Sequence, residues 1–493
     1  MKRYRLHIWP IWLLLGMIFL AACQSDALPG EDLGGGKPIV AHSDSSYINL
    51  RIVGNSQAIT RATFSDQATA AENAVYDGIL CIFEGTDEAS ATLKTAVYID
   101  QLINNPGSTA NSQDLSITQR LAEGTHNYQN KLYVLALLNT TSTGFKIGGT
   151  NKNELLLNGA SQKGKTISQI QQLQINSVGS IEQHVGLFMS NAPQTDYIMP
   201  EVTSDYLFDT EAAAANGNRL TINVERAAAR VSVTKEVTNE PLTLTAIKLD
   251  GDDNRHPIVH RLTWALNNYN TQSYVIRYES TAANNWATSI TGAGIPIAFD
   301  ATAPDVFDLY KQHSYKDGDC VYVAENTTDN ASDQTEVIVE VQLKENSFLL
   351  GDCYRYRFGD DDIFFTSAEK FIKYCKAGWK ETFSQNENYT KIKDKSADEV
   401  FKYYSFVIND DGSVAITITN DSFTEAEKGN LRTLSSILSG FLRGYRDGKM
   451  YYTTKIKHSD TKYGVVRNNA YNLNVTSTLG IGDPVPTPIV VTP

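Results

Sequence analysis

The run from Lys131 to Asn139 reads KLYVLALLN and is apolar at every position between its polar ends. A run that short is a strand rather than a helix. A strand apolar on both faces lies within a sheet that is covered on both sides. The rest of the chain repeats the strand theme with alternation. Tyr47 to Val53 puts Ile48, Leu50 and Ile52 on one face, and Ala74 to Glu84 follows the same period. Val185–Ser190, Leu220–Val224, Ala229–Val233, Thr335–Leu343 and Tyr403–Ile408 read as further strands. Asn409-Asp410-Asp411-Gly412 separates Phe406–Ile408 from Val414–Ile418, a turn signal between two alternating runs that predicts a hairpin. Arg446-Asp447-Gly448-Lys449 predicts a second one ahead of Met450–Lys457. With 25 tyrosines and only 14 prolines, the composition suits strands as well. Helices are few. Leu431, Leu434, Leu438, Phe441 and Leu442 recur at spacings of three and four and predict an amphipathic helix over Glu425–Tyr445. Ile167–Leu173 and Gln113–Leu121 are weaker helical candidates, each expected to cover a sheet face.

At 493 residues the chain is too long for one ordinary domain. Many short strands with turn signals between them read as β-sandwiches, and the stretch Glu211–Asn218 reads as the break between two of them. The N-terminus is of another kind. Lys2, Arg3 and Arg5 precede an apolar run from Ile8 to Leu20, too short to span a bilayer and proportioned as a signal peptide. The run ends in Leu20-Ala21-Ala22-Cys23, which resembles a bacterial lipobox. Residues 1–22 are therefore read as a signal peptide and Cys23 as the acylated residue. The Gly-rich, acidic stretch that follows reads as a flexible tether.

A net charge of −13 argues against nucleic acid and against docking on an anionic membrane surface. Cys81, Cys320, Cys353 and Cys375 form no CxxC pair, so a zinc site is not expected, and their pairing stays open. Cys81 alternates with Ile79 and Phe83 and reads as a buried small hydrophobe. The chain contains no HExxH, GxSxG or GxxxxGK[ST] motif. Asp250-Gly251-Asp252-Asp253-Asn254 opens like a calcium loop, but Arg255 and Arg261 stand where the loop needs Gly and Glu, so it reads as a solvated turn. Pro257 breaks any helix that would align His256 with His260. Asp360-Asp361-Asp362 reads as a charged loop beside Arg355 and Arg357. No catalytic residue, metal site or cofactor is expected.

Several strings, in order, resemble the fimbrillins of Bacteroidetes, the FimA/Mfa-type subunits of type V pili. They are Phe188–Pro193, Val224–Val231, Cys320–Thr327, and at the C-terminal end Gly448–Tyr452, His458, Tyr463–Leu473 and Gly480–Pro484. The resemblance implies a mainly β fold of two transthyretin-like Greek-key β-sandwich domains with a few covering helices. On that reading residues 62–217 form the N-terminal domain, 218–482 the C-terminal domain and 483–493 a tail. It also implies a structural subunit of a cell-surface fimbria, supporting adhesion and biofilm formation. Such a subunit is exported as an outer-membrane lipoprotein precursor, and an arginine-specific protease then removes its first strand. Removal of an edge strand exposes unpaired backbone beside an apolar trench. A C-terminal strand of a neighbouring subunit fills it head-to-tail, in a homo- or hetero-polymer.

Carried onto this chain, the resemblance places the removable segment within residues 23–61, with Ile48, Leu50 and Ile52 facing the trench. Cleavage is expected between Arg61 and Ala62, with Arg51 as the competing site inside the strand. The candidate donor is the tail, with Val485, Ile489 and Val491 as its apolar residues. Pro484, Pro486, Pro488 and Pro493 interrupt it, and proline cannot donate to a ladder. Expected partners are other fimbrial subunits, the protease and host or bacterial surface ligands. The alternative reading is a surface lipoprotein that binds glycans. It calls for clustered aromatic platforms, whereas Trp264, Trp286 and Trp379 are scattered.

Overall fold

A computed structural model describes residues 46–54, 69–103, 110–111, 115–121, 130–181, 183–194, 196–236, 241–270, 272–278, 294–295, 307, 310–311, 313–374, 402–419, 435–436 and 439–486. In chain order the first sheet takes its strands from β1 (Tyr47–Gly54), β2 (Gly78–Gly85), β3 (Thr92–Tyr98) and β4 (Leu115–Arg120). It continues with β5 (Lys131–Leu138), β6 (Met189–Asn191), the short β7 (Leu207–Phe208) and β8 (Leu220–Arg226). The strands run in the order β4-β1-β8-β6-β5-β2-β3, with β7 on the same edge of β1 as β8.

The strand KLYVLALL lies inside this sheet, as its apolarity requires. Leu135 and Leu137 enter one core with Ile79, Cys81 and Phe83. Val134, Ala136 and Leu138 enter the opposite core with Leu80, Ile82 and the inner face of β1. Cys81 is a buried free thiol, and burial raises its pKa. Helix α1 (Ile167–Gln171) covers the first of these faces, its N-terminus closed by a capping box of Thr166 and Gln169. Gln113–Leu121 is not helical where it is described. Leu115–Arg120 is strand β4, and its buried residues Leu115, Ile117 and Gln119 alternate at period two. The polar Gln119 conceals that alternation. It is buried because its amide donates to Asp100 and to the Arg120 carbonyl.

The segment Glu211–Asn216 is a helix, α2, capped by the Thr210 side chain. β8 begins after the 217/218 division yet belongs to the first sheet. The chain passes to the second layer at Ala227, where β9 (Ala228–Lys235) begins. β10 (Ile258–Asn267), β11 (Cys320–Ala324) and β12 (Glu336–Glu345) follow. An insertion then supplies β13 (Cys353–Phe358), β14 (Asp361–Phe365), β15 (Tyr404–Ile408), β16 (Val414–Ile418) and β17 (Leu442–Tyr445). β18 (Lys449–Lys455) and β19 (Ala470–Val475) complete the order.

Sheet β11-β9-β19 faces sheet β10-β12-β18 across one core, a β-sandwich built from Val231, Val233, Trp264, Val337, Val341 and Tyr471 among others. Trp264 is fully buried, with its indole N–H on the Lys316 carbonyl, and so cannot form a glycan platform. Trp286 and Trp379 lie outside the described residues. The protein is thus mainly β, with several sheets and few helices.

The insertion has its own core, in which Tyr354, Phe365, Phe371 and Leu442 meet the β15–β16 hairpin. The hairpin turns through Gly412 at φ +75°, as the Asn-Asp-Asp-Gly signal predicts. Two expectations fail in this region. The helix over Glu425–Tyr445 does not reach its expected end: residues 439–440 are helical, but Leu442–Tyr445 is strand β17, paired with β13. Gly444 permits this because a Cβ there would collide with the Ile408 side chain. Arg446–Gly448 does join two strands, yet β17 pairs with β13 and β18 with β12, so no hairpin forms. Asp361 and Asp362 also lie in a strand, and Asp362 takes a two-pronged contact from Arg355.

Gly251–Asn254 form the expected exposed turn, but at its start the Asp250 side chain fastens the insertion to the sandwich. Asp250 sits at φ +56° and accepts from Arg255 (2.7 Å), Lys370 (2.7 Å) and the Thr366 amide (2.9 Å). Burial opposes its ionisation, but hydrogen bonds from Lys370, Thr366 and Arg255 outweigh that and hold its carboxyl below the usual carboxylate range. With the folded pKa depressed, the contribution is complete above the unfolded value of about 3.9. It is lost as pH falls through the folded value. Asp250→Asn is therefore expected to lower the denaturation midpoint at pH 7 and to flatten its fall as pH drops below about 4. Parallel curves for the two proteins would contradict this role.

Candidate functional site: the seat of the first strand

The residues singled out on β1 lie where their alternation predicts. Ile48, Leu50 and Ile52 are completely buried, against Val75, Leu115, Ile117, Val134 and Ile222. The expected edge position is corrected. β1 is an inner strand, antiparallel to β4 on one side (Ile48↔Gln119, Leu50↔Ile117, Ile52↔Leu115). On the other side it is antiparallel to β7 at Tyr47 and Ile48, then parallel to β8 from Leu50 to Gly54. Its removal would leave a seat with two unpaired edges. A parallel neighbour 170 residues away in sequence (Leu50↔Leu220) has no local signature, so this pairing was not legible.

The outer face of β1 is polar. The Asn49 amide donates to the Gly217 carbonyl at 3.1 Å, beside the C-terminus of α2. An open cleft of about 600 Å³ adjoins it, lined by Tyr47, Asn49, Ser116, Thr118, Arg120 and Arg219 among others. Arg51 lies in the strand, opposite Ser116 on one side and Thr221 on the other. Cys23, Arg61 and Ala62 lie outside the described residues.

The tail has a fixed root. Asp483 exchanges two backbone hydrogen bonds with Tyr451, at 2.8 and 2.9 Å. The hydroxyls of Tyr445 and Tyr452 donate to the Gly482 and Gly480 carbonyls. Pro484 packs on Gly412, where a Cβ would strike its ring. Val485 is therefore half-buried on its own subunit, while Ile489 and Val491 lie outside the described residues.

The two layers meet at buried charges that the sequence did not mark. The Arg467 guanidinium donates to Glu325, to Ser273 and to the Tyr274 carbonyl, each at 2.7 Å. Arg277 pairs with Glu225, and Arg230 with Glu72, both at 3.3 Å. No group of His, Cys, Asp and Glu suited to hold a metal occurs among the described residues. His256 Nδ1 is engaged with the Ile247 carbonyl. No helix among the described residues is long and apolar enough to cross a membrane.

Fold and site together define a β-sandwich protein whose candidate site holds a strand of the chain's own backbone, β1, paired on both edges. Residues 443–491 match the family described as major fimbrial subunit protein type IV, fimbrillin, C-terminal. Residues 443–491 are thus similar to the C-terminal segment of the fimbrillins, which bears out the resemblance over β18, β19 and the tail root and supports a fimbrial subunit role. No curated protein sequence matches the chain.

Among solved structures it is similar to a fimbrilin of Porphyromonas gingivalis, with 11% identity, 89% of this chain and 91% of that one covered, and a TM-score of 0.34. A fimbrial assembly protein of Parabacteroides distasonis gives 14% identity over 63% of this chain and 88% of that one, TM-score 0.30. A C-terminally truncated tip fimbrial protein of Porphyromonas gingivalis gives 8%, 65%, 97% and 0.26 for the same quantities.

Proposed function

We propose that this protein is a structural, non-enzymatic subunit of a cell-surface fimbria, made as an outer-membrane lipoprotein acylated at Cys23. An arginine-specific protease cuts it between Arg61 and Ala62, β1 leaves, and a C-terminal strand of another subunit takes the vacated seat. The observation that carries this reading is the seat: a strand with three completely buried side chains and both edges paired, a few residues before Arg61. An incoming strand recovers both the apolar burial and the backbone hydrogen bonds. Arg51 is a poor rival to Arg61, because a protease needs an extended, accessible backbone and Arg51 lies between two partner strands. As a donor to a neighbour, this chain would offer its tail, with Ile489 and Val491 pointing inward. Contacts with host or bacterial surfaces in adhesion and biofilm formation belong to the assembled filament.

N-terminal sequencing of the protein recovered from surface filaments is expected to start at Ala62. A mature form that starts at Cys23 would overturn the processing step. Cys23→Ala is expected to abolish lipid labelling and membrane retention of the precursor, since stable anchoring depends on acyl chains. Labelling that survives the change would rule out Cys23 as the acylated residue.

A further inference from the structure

We infer that the β1 seat accepts from another subunit a proline-free strand bearing an amide side chain, and not residues 483–493 of a second copy of this chain. The inference rests on the strand-exchange reading above and narrows its partner. Because the seat has two edges, each backbone N–H of its occupant has a carbonyl to meet, and a proline anywhere in it leaves one unmet. β1 fills the seat with eight residues and no proline. Between residues 483 and 493 prolines stand at 484, 486, 488 and 493, and the longest run without one is Ile489-Val490-Val491-Thr492.

The outer face adds a second mismatch. The Gly217 carbonyl is served by the Asn49 amide. Suppose the tail runs in the direction of β1 with Ile489 and Val491 facing the core. Position 49 is then taken by Val490 when Ile489 replaces Ile48, or by Pro488 when Ile489 replaces Leu50. Neither side chain can donate. The seat instead fits a strand of about eight residues without proline, with branched apolar side chains at three alternate positions. Between the first two it calls for an amide side chain such as Asn or Gln.

Strand displacement from a nicked full chain tests this. A site-specific protease sequence inserted after Arg61 lets the chain be cut while β1 stays seated. Synthetic peptides are then added, and release of the segment ending at residue 61 is followed. A peptide of residues 46–54 is expected to displace β1. The same peptide with Asn49→Val is expected to be about ten-fold weaker, the size of one hydrogen-bond donor lost to a half-buried carbonyl. A peptide of residues 483–493 is expected to displace nothing. Displacement by the 483–493 peptide equal to that by 46–54 overturns the exclusion of that segment and leaves the seat standing. Failure of every peptide, with β1 retained, overturns the seat itself. Equal strength of the Asn49→Val peptide overturns the amide requirement.

Discussion

Replacing Leu50 with Ala in the precursor is expected to cost about 2–5 kcal/mol, the range for emptying a fully packed leucine site. Leu50 is completely buried between β4 and β8, so little rearrangement can fill the space left behind. The effect has a further signature if β1 leaves on maturation. The denaturation midpoint of the uncleaved chain should fall, while protein recovered from filaments should unfold as the wild type does. Equal losses in both forms would mean that β1 remains in the mature subunit.

Arg467→Ala is expected to cost about 3–5 kcal/mol, because it strands a buried carboxylate. Arg467 is 1% exposed and Glu325 likewise 1%. Burial opposes the charge on Arg467, and Glu325 outweighs it, so its pKa is raised. The same guanidinium holds Ser273 and the Tyr274 carbonyl. The neighbouring residues Val275 and Ile276 enter the core of the first sheet. The substitution should therefore loosen the contact between the layers as well as the second sandwich. Urea unfolding followed by circular dichroism checks the magnitude. Adding Glu325→Gln to the variant should recover part of the loss, since it removes the stranded charge. A loss below about 1 kcal/mol, the level of an exposed pair, would contradict a buried lock.

Sequence reading was strongest where the signal is local. The period of two placed Ile48, Leu50 and Ile52 on a buried face. The unbroken run Leu132–Leu138 identified a strand covered on both sides, and Asn409–Gly412 predicted the hairpin found there. Each depends on residues within a few positions of one another, through the direction of alternate side chains or the φ that glycine allows. It was weakest where the same side chains suit two structures. Leu431, Leu434, Leu438, Phe441 and Leu442 fit a helical face, yet packing of Ile408 on Gly444 and pairing with β13 make Leu442–Tyr445 a strand.

By itself, then, the sequence determined the strands whose apolar pattern is unbroken or alternates cleanly, the faces those strands bury, and a family resemblance in the order of its motifs. Only the tertiary structure decided that β1 lies between β4 and β8, that β8 joins the first sheet while β9 joins the second, and that Arg467 is buried against Glu325. The physical reason is that ladders are made by backbone N–H and C=O groups, which every residue but proline supplies alike. A strand's sequence records the face it buries, and not the neighbour it pairs with.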